Sequence, residues 1–219
     1  MNFNTVLFDL DGTLTDPAIG ITNSVAYALE KMGITPPKRK ELLKFIGPPL
    51  AESFEKYYGL SKEDSFKAVD IYREYFAPKG IFENTLFEGV PKMLENLKKS
   101  GKTLALATSK PIIFADKILK HFNIFDYFDL TVGSNLDGTL TNKSEVVAAV
   151  LEKLQIKNTD TAVMVGDKSH DIIGGATNKL FTVGVTFGYG SKKELADAGA
   201  SKLVDSVKEL EEFLIGETK

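Results

Sequence analysis

Four short runs in this chain are dominated by apolar residues and show no in-and-out alternation. They are Thr5-Val6-Leu7-Phe8, Thr103-Leu104-Ala105-Leu106-Ala107, Thr161-Ala162-Val163-Met164-Val165 and Phe181-Thr182-Val183-Gly184-Val185. A strand that is apolar at successive positions must be covered on both faces, and that is the condition of a parallel sheet sandwiched between helices. Amphipathic stretches at 90–100, 111–121, 143–155, 169–178 and 206–215 supply those helices. Leu130-Thr131-Val132 and Lys202-Leu203-Val204 are candidate edge strands. Gly101, directly after Lys98-Lys99-Ser100, reads as a helix stop with positive charge in the last turn.

One interval breaks the alternation. About 90 residues separate the first strand from Thr103, whereas a simple βαβ unit needs about 30. The excess reads as helical. Asp16-Pro17 offers an N-cap and a proline at the first position of a helix near 18–32. Ser61, with Asp64 three residues on, opens a second helix running to Ala77, and Gly47-Pro48-Pro49 punctuates shorter pieces between them. The expected fold is therefore α/β: a Rossmann-like parallel sheet with helices on both faces, formed by 1–15 and 84–219, and an inserted all-helical domain at 16–83.

Composition narrows the chemistry. Among 219 residues there is no cysteine, which removes disulfides, thiolate metal sites and cysteine nucleophiles. Two histidines, His121 and His170, exclude a multi-histidine metal cage. Lys+Arg 27 against Asp+Glu 30 leaves a net charge of −3, too balanced for a dedicated nucleic-acid or anionic-membrane binder. Met1-Asn2-Phe3-Asn4 carries no basic stretch and no apolar run approaches 18 residues, so the expectation is a soluble, cytoplasmic protein, monomeric or weakly dimeric.

In open α/β sheets ligands bind beyond the carboxyl ends of the strands. The first strand ends in Asp9-Leu10-Asp11-Gly12-Thr13, the second in Thr108-Ser109-Lys110, and the third in Gly166-Asp167-Lys168-Ser169-His170-Asp171. Four carboxylates and two hydroxyls are thereby aimed at one edge. If the backbone stays extended, Asp9 and Asp11 project to the same side. Four clustered acids repel one another, which implies a bound cation or raised pKa values, and all-oxygen ligation favours Mg²⁺. Each piece also has an ordinary structural reading. Asp-Gly after a strand is commonly a turn, Asp167 or Ser169 could cap a helix, and Thr108 alone is more often a cap than a ligand. Acids at both the first and third strand ends are harder to explain as independent turns.

The sequence Phe8-Asp9-Leu10-Asp11-Gly12-Thr13-Leu14, followed by Ala107-Thr108-Ser109, Lys143, and Gly166-Asp167 with Asp171, resembles the four motifs of the haloacid dehalogenase superfamily. The likeness spans essentially the whole chain, and the helical insert resembles the cap of the phosphoglycolate-phosphatase-like branch. It implies Asp9 as nucleophile, Asp11 as general acid and base, and Thr108, Ser109 and Lys143 on the phosphoryl group. Mg²⁺ would be held by Asp9, the Asp11 backbone carbonyl and Asp167, with Asp171 in direct contact or one step behind. The implied activity is hydrolysis of a small phosphate monoester of the phosphoglycolate, sugar-phosphate or nucleoside-monophosphate type. An acid at position 11 favours an oxygen leaving group. A phosphosugar mutase keeps both acids, but the histidine such mutases carry at the entry to the cap is absent from Pro17-Ala18-Ile19-Gly20. The remaining rivals are a receiver-like switch, which lacks a cap, and an interaction protein on the same scaffold.

Leu136-Asp137-Gly138-Thr139-Leu140-Thr141 repeats Leu10–Thr15 letter for letter, but Asn135 stands where Asp9 does, so it reads as a turn delivering Lys143. A lysine in a helix's first turn opposes the dipole, which favours a ligand role, with Lys110 and Lys168 as rivals. His170 reads as a loop residue and His121 as a residue near a helix end. Tyr57, Tyr58, Phe66, Tyr72, Tyr75 and Phe76 read as core of the insert, Lys38-Arg39-Lys40 with Lys44 as a solvated face, and Phe45–Pro49 as the loop facing the active site. Gly12–Asp16 and Asn84–Gly89 are the expected hinges.

Overall fold

The computed structural model describes residues 3–216. Met1 and Asn2 of the N-terminal stretch, and the last three residues of the expected 84–219 segment, lie outside the described residues. In chain order the elements are β1 (Thr5–Phe8), β2 (Thr15–Asp16), α1 (Ala18–Lys31), α2 (Arg39–Leu42), α3 (Leu50–Tyr58), α4 (Lys62–Phe76), β3 (Thr85–Leu86) and α5 (Val90–Lys99). They continue with β4 (Thr103–Pro111), α6 (Ile112–His121), β5 (Leu130–Ser134), α7 (Lys143–Lys153), β6 (Ala162–Gly166) and α8 (Ser169–Thr177). The last four are β7 (Phe181–Val185), α9 (Lys192–Asp197), β8 (Lys202–Val204) and α10 (Val207–Ile215). The chain divides into two compact units, one joining residues up to Asp16 with Leu86 onward, the other Pro17–Thr85.

The first unit is the α/β fold. Six strands lie in the order β5-β4-β1-β6-β7-β8, and every neighbouring pair is parallel. β2 and β3 form a separate two-stranded sheet. Register explains the packing. Leu7 aligns with Ala105 on one side and Met164 on the other. These three share a buried cluster with Ala107, Ala162 and Val146, Val147 and Val150 of α7. Small alanines on β4 leave room for α7 to sit close to the sheet, and each valine it buries contributes on the order of 2 kcal/mol. Val6 and Phe8, one residue out of phase with Leu7, are equally buried, so the sheet is covered on both faces.

Strand order also locates the site. From β1 the chain builds outward through β4 and β5, then returns to place β6 on the opposite side of β1. The carboxyl ends of β4, β1 and β6 are thus neighbours at the switch point where an open sheet leaves a crevice.

The second unit is helical. α1 and α3 both pack on α4. Ser61 caps α4 by accepting from the Asp64 N–H at 3.1 Å. Two expectations are corrected. Phe66 is 46% exposed, because α4 buries Ser65, Ala68, Val69, Tyr72 and Phe76 and position 66 lies off that stripe. Phe45 and Ile46 are fully buried, with Phe45 against Phe54, Tyr57 and Tyr58, so only Gly47-Pro48-Pro49 of that loop is partly exposed. Among the described residues no helix is long and apolar enough to cross a membrane.

Candidate active site

β1 ends at Phe8, so Asp9 and Asp11 stand on the turn beyond it rather than in extended strand. Their carboxylates act on each other electrostatically while pairing with different lysines, Asp9 with Lys143 and Asp11 with Lys110. Gly12 makes the turn possible. Its φ is +84°, and a β-carbon there would lie 2.2 Å from Asp167 Oδ2, so any side chain would displace that carboxylate.

Lys143 begins α7 and is 6% exposed. Its Nζ lies 2.8 Å from Asp9 Oδ1 and 2.8 Å from Asp171 Oδ1, and donates to the Ala107 carbonyl at 2.9 Å. One ammonium is therefore wedged between the ends of β1, β4 and β6. Burial alone would lower its pKa, but Asp171 and Asp9 more than offset that and hold it above the ordinary lysine range. The helix reaches this position through the turn at 135–139. There Asp137 Oδ1 accepts from Thr139 N–H at 2.9 Å, and Asn142 then caps α7 through the Ser144 N–H at 2.8 Å. The repeated Asp-Gly-Thr is thus a local turn, with Asp137 exposed.

Asp171 serves two neighbours. Its Oδ1 meets Lys143, while its Oδ2 accepts from the Lys168 N–H at 3.0 Å. The sequence reading gave Asp167 or Ser169 as the cap of this helix. The cap is made by Asp171 instead, because α8 starts at Ser169 and a carboxylate in its first turn reaches back to Lys168. Burial pushes the Asp171 carboxyl up to about 6.

Asp167 is fully buried. Its Oδ2 accepts from the Tyr189 N–H at 2.7 Å, and its Oδ1 has no hydrogen-bond partner among the described residues. Burial, then Asp171 and Asp9, raise its pKa well above the carboxylate range. Asp11 is raised by burial too, against the opposing effect of Lys110, with which it forms a buried ion pair. Thr108 is buried near the end of β4, its hydroxyl accepting from the Lys110 N–H at 3.3 Å, and Ser109 beside it is half-buried.

Asp9, Asp167 and Asp171 can each offer a carboxylate oxygen within 4.8 Å of the others. Three buried acids, one with an unpartnered oxygen, are a donor set for a hard divalent cation. The Asp11 carboxylate is outside that trio. His170 and His121 are exposed.

Two residues escaped the sequence reading. Lys110, which the sequence offers only as a rival to Lys143, is the partner of Asp11. Tyr189 follows the carboxyl end of β7 between Gly188 and Gly190, a place that the strand-end rule singles out.

The family described as haloacid dehalogenase-like hydrolase matches residues 6–185, from within β1 to the last residue of β7. The chain belongs to that family. A relative from Pseudomonas aeruginosa named 5'-nucleotidase is 43% identical over 195 residues, 89% of this chain and 88% of its own. The tyrosine-protein kinase PtkA of Mycobacterium tuberculosis is 37% identical over 95% of this chain and 70% of its own length. A solved structure of a predicted phosphatase from Clostridium acetobutylicum superposes with a TM-score of 0.96 at 48% identity, covering 99% of this chain and 100% of that one. This haloacid dehalogenase-like chain is accordingly an enzyme of the hydrolase type, and the architecture foreseen from its strands is the architecture it has.

Proposed function

We propose that this chain is a Mg²⁺-dependent phosphatase that hydrolyses small phosphate monoesters through an aspartyl-phosphate. The observation that carries the reading is Lys143, buried between Asp9 and Asp171 beside an unpartnered Asp167 oxygen. An anionic nucleophile meets an anionic phosphate only where cations offset both charges. Mg²⁺, bound by Asp9, Asp167 and the Asp11 backbone carbonyl, would supply that charge. Both oxygens of Asp171 are engaged by Lys143 and the Lys168 N–H, which favours its acting from behind the ligands.

In this reading an Asp9 oxygen attacks phosphorus in line, forming the O–P bond as the ester bond breaks. Asp11 gives its proton to the leaving alkoxide, then takes one from the water that hydrolyses the aspartyl-phosphate. Burial raises the Asp11 pKa above that of an ordinary carboxyl, the direction a proton donor needs. Thr108, Ser109 and Lys143 hold the phosphoryl oxygens. The helical unit at 17–85 is the cap that sets substrate choice, and the Pseudomonas relative puts nucleoside monophosphates first among substrates to try.

Release of inorganic phosphate from a panel of nucleoside, sugar and carboxylate phosphoesters, with Mg²⁺ or EDTA, tests the reading. Release should require Mg²⁺ and vanish in Asp9→Asn. Release that survives either EDTA or Asp9→Asn would overturn it.

A further inference from the structure

The loop after β7 touches the site in a way the reaction scheme does not use. Tyr189 makes three polar contacts. Its N–H donates to Asp167 Oδ2 at 2.7 Å, its carbonyl accepts from Lys168 Nζ at 3.1 Å, and its phenol donates to Asp16 Oδ1. Glycines on either side let the loop lie directly on the acid. A β-carbon at Gly188 would fall 2.2 Å from the Gly12 carbonyl oxygen, and one at Gly190 would fall 1.8 Å from the Asp167 carbonyl oxygen.

We propose that Tyr189 is a positioning residue that selects the free oxygen of Asp167 through its backbone and anchors Asp16 through its phenol. The first half follows from occupancy. With Oδ2 committed to the N–H, Oδ1 is the oxygen left to a cation, buried and unpartnered. A carboxylate fixed in this way loses little freedom when it binds. The second half follows from rigidity. A tyrosine has only two side-chain torsions, so its backbone and its phenolic oxygen are held at a nearly constant separation. Asp16 is the last residue of its unit before the chain leaves for residues 17–85. A shift of β2 is thereby passed to the Asp167 carboxylate through one stiff ring. Burial and the nearby acids keep the phenol in its donor form.

The inference rests on reading Asp167 as a cation ligand, and its test separates the two. Tyr189→Phe removes the phenol and keeps the N–H; Asp16→Ala removes the acceptor. Mg²⁺ half-saturation is read from the concentration dependence of the melting midpoint, without turnover, beside kcat and KM for phosphate release. Tyr189→Phe should weaken Mg²⁺ by about tenfold and lower kcat. The double variant should bind Mg²⁺ no worse than Asp16→Ala alone, because both substitutions break the same Tyr189–Asp16 contact. A Tyr189→Phe protein that binds Mg²⁺ and turns over like wild type, or effects that simply add, would overturn this proposal alone. A wild-type protein whose midpoint ignores Mg²⁺ would overturn the metal reading and this proposal with it.

Discussion

Lys143 shows how much of this site is held by one charge. Its ammonium touches two carboxylates and a carbonyl at 2.8–2.9 Å in surroundings that exclude water. The pair energies are partly cancelled by the cost of dehydrating all three ions, so the arrangement is weak evidence of net stability. Deletion is a different matter. Lys143→Ala leaves Asp9 and Asp171 buried without their direct counter-charge, and breaking such a pair costs about 3–5 kcal/mol. Urea unfolding in EDTA should show that loss, and added Mg²⁺ should recover part of it by supplying the missing positive charge. A loss under about 1 kcal/mol would mean the acids protonate or rehydrate far more easily than their burial implies. At the same scale, Lys110 and Tyr189 were hard to foresee. Their partners, Asp11 and both Asp16 and Asp167, lie far away in sequence and adjoin only after the sheet is assembled.

Elements place these residues, and their ends do most of the work. α7 starts exactly where its first residue can reach the ends of β1, β4 and β6, and Asn142 sets that start through the Ser144 N–H. Ser206 does the same for α10 through the Glu209 N–H at 3.1 Å. Asn142→Ala and Ser206→Ala should each cost about 1 kcal/mol in urea unfolding. Turnover should fall only in Asn142→Ala, since only that cap aims a site residue; equal turnover in the two variants would detach the α7 cap from the chemistry. The strands were legible because burial on both faces writes itself as unbroken apolar runs, and their ends were legible because parallel topology gathers them at one edge. Caps were read less well. Ser61 behaved as its sequence suggests, but Asp167 accepts from the Tyr189 N–H instead of capping a helix, and Phe66 turned outward where the aromatic spacing suggested core. In each case a tertiary contact, or the phase of a helix, outweighed the local signal.

Across the whole molecule, the site sets a dependence of stability on pH that a bound cation should alter. The Asp171 carboxyl, ordinarily near 3.8, is pushed up to about 6, and Asp167 and Asp11 are raised as well. An acid with a raised pKa in the folded state binds more protons there than in the unfolded chain. Its contribution is therefore fully present below the ordinary carboxylate pKa and is lost as pH rises through the folded value. For Asp171 that window runs from about 4 to 6, so its contribution is lost near neutrality in the metal-free protein. A divalent cation held by Asp9 and Asp167, with Asp171 behind them, would favour the ionised form of this cluster. The gain in melting midpoint on adding Mg²⁺ should thus be small at roughly pH 5 and grow through pH 6 to pH 7. Paired calorimetric scans with Mg²⁺ and with EDTA, across that series, measure the gap directly. Surface carboxylates such as Asp129, paired with Lys98 at 2.7 Å, titrate alike in both series and cancel from the difference. A gap that stayed flat, or was widest at the acid end, would show that the cluster is not where the cation binds.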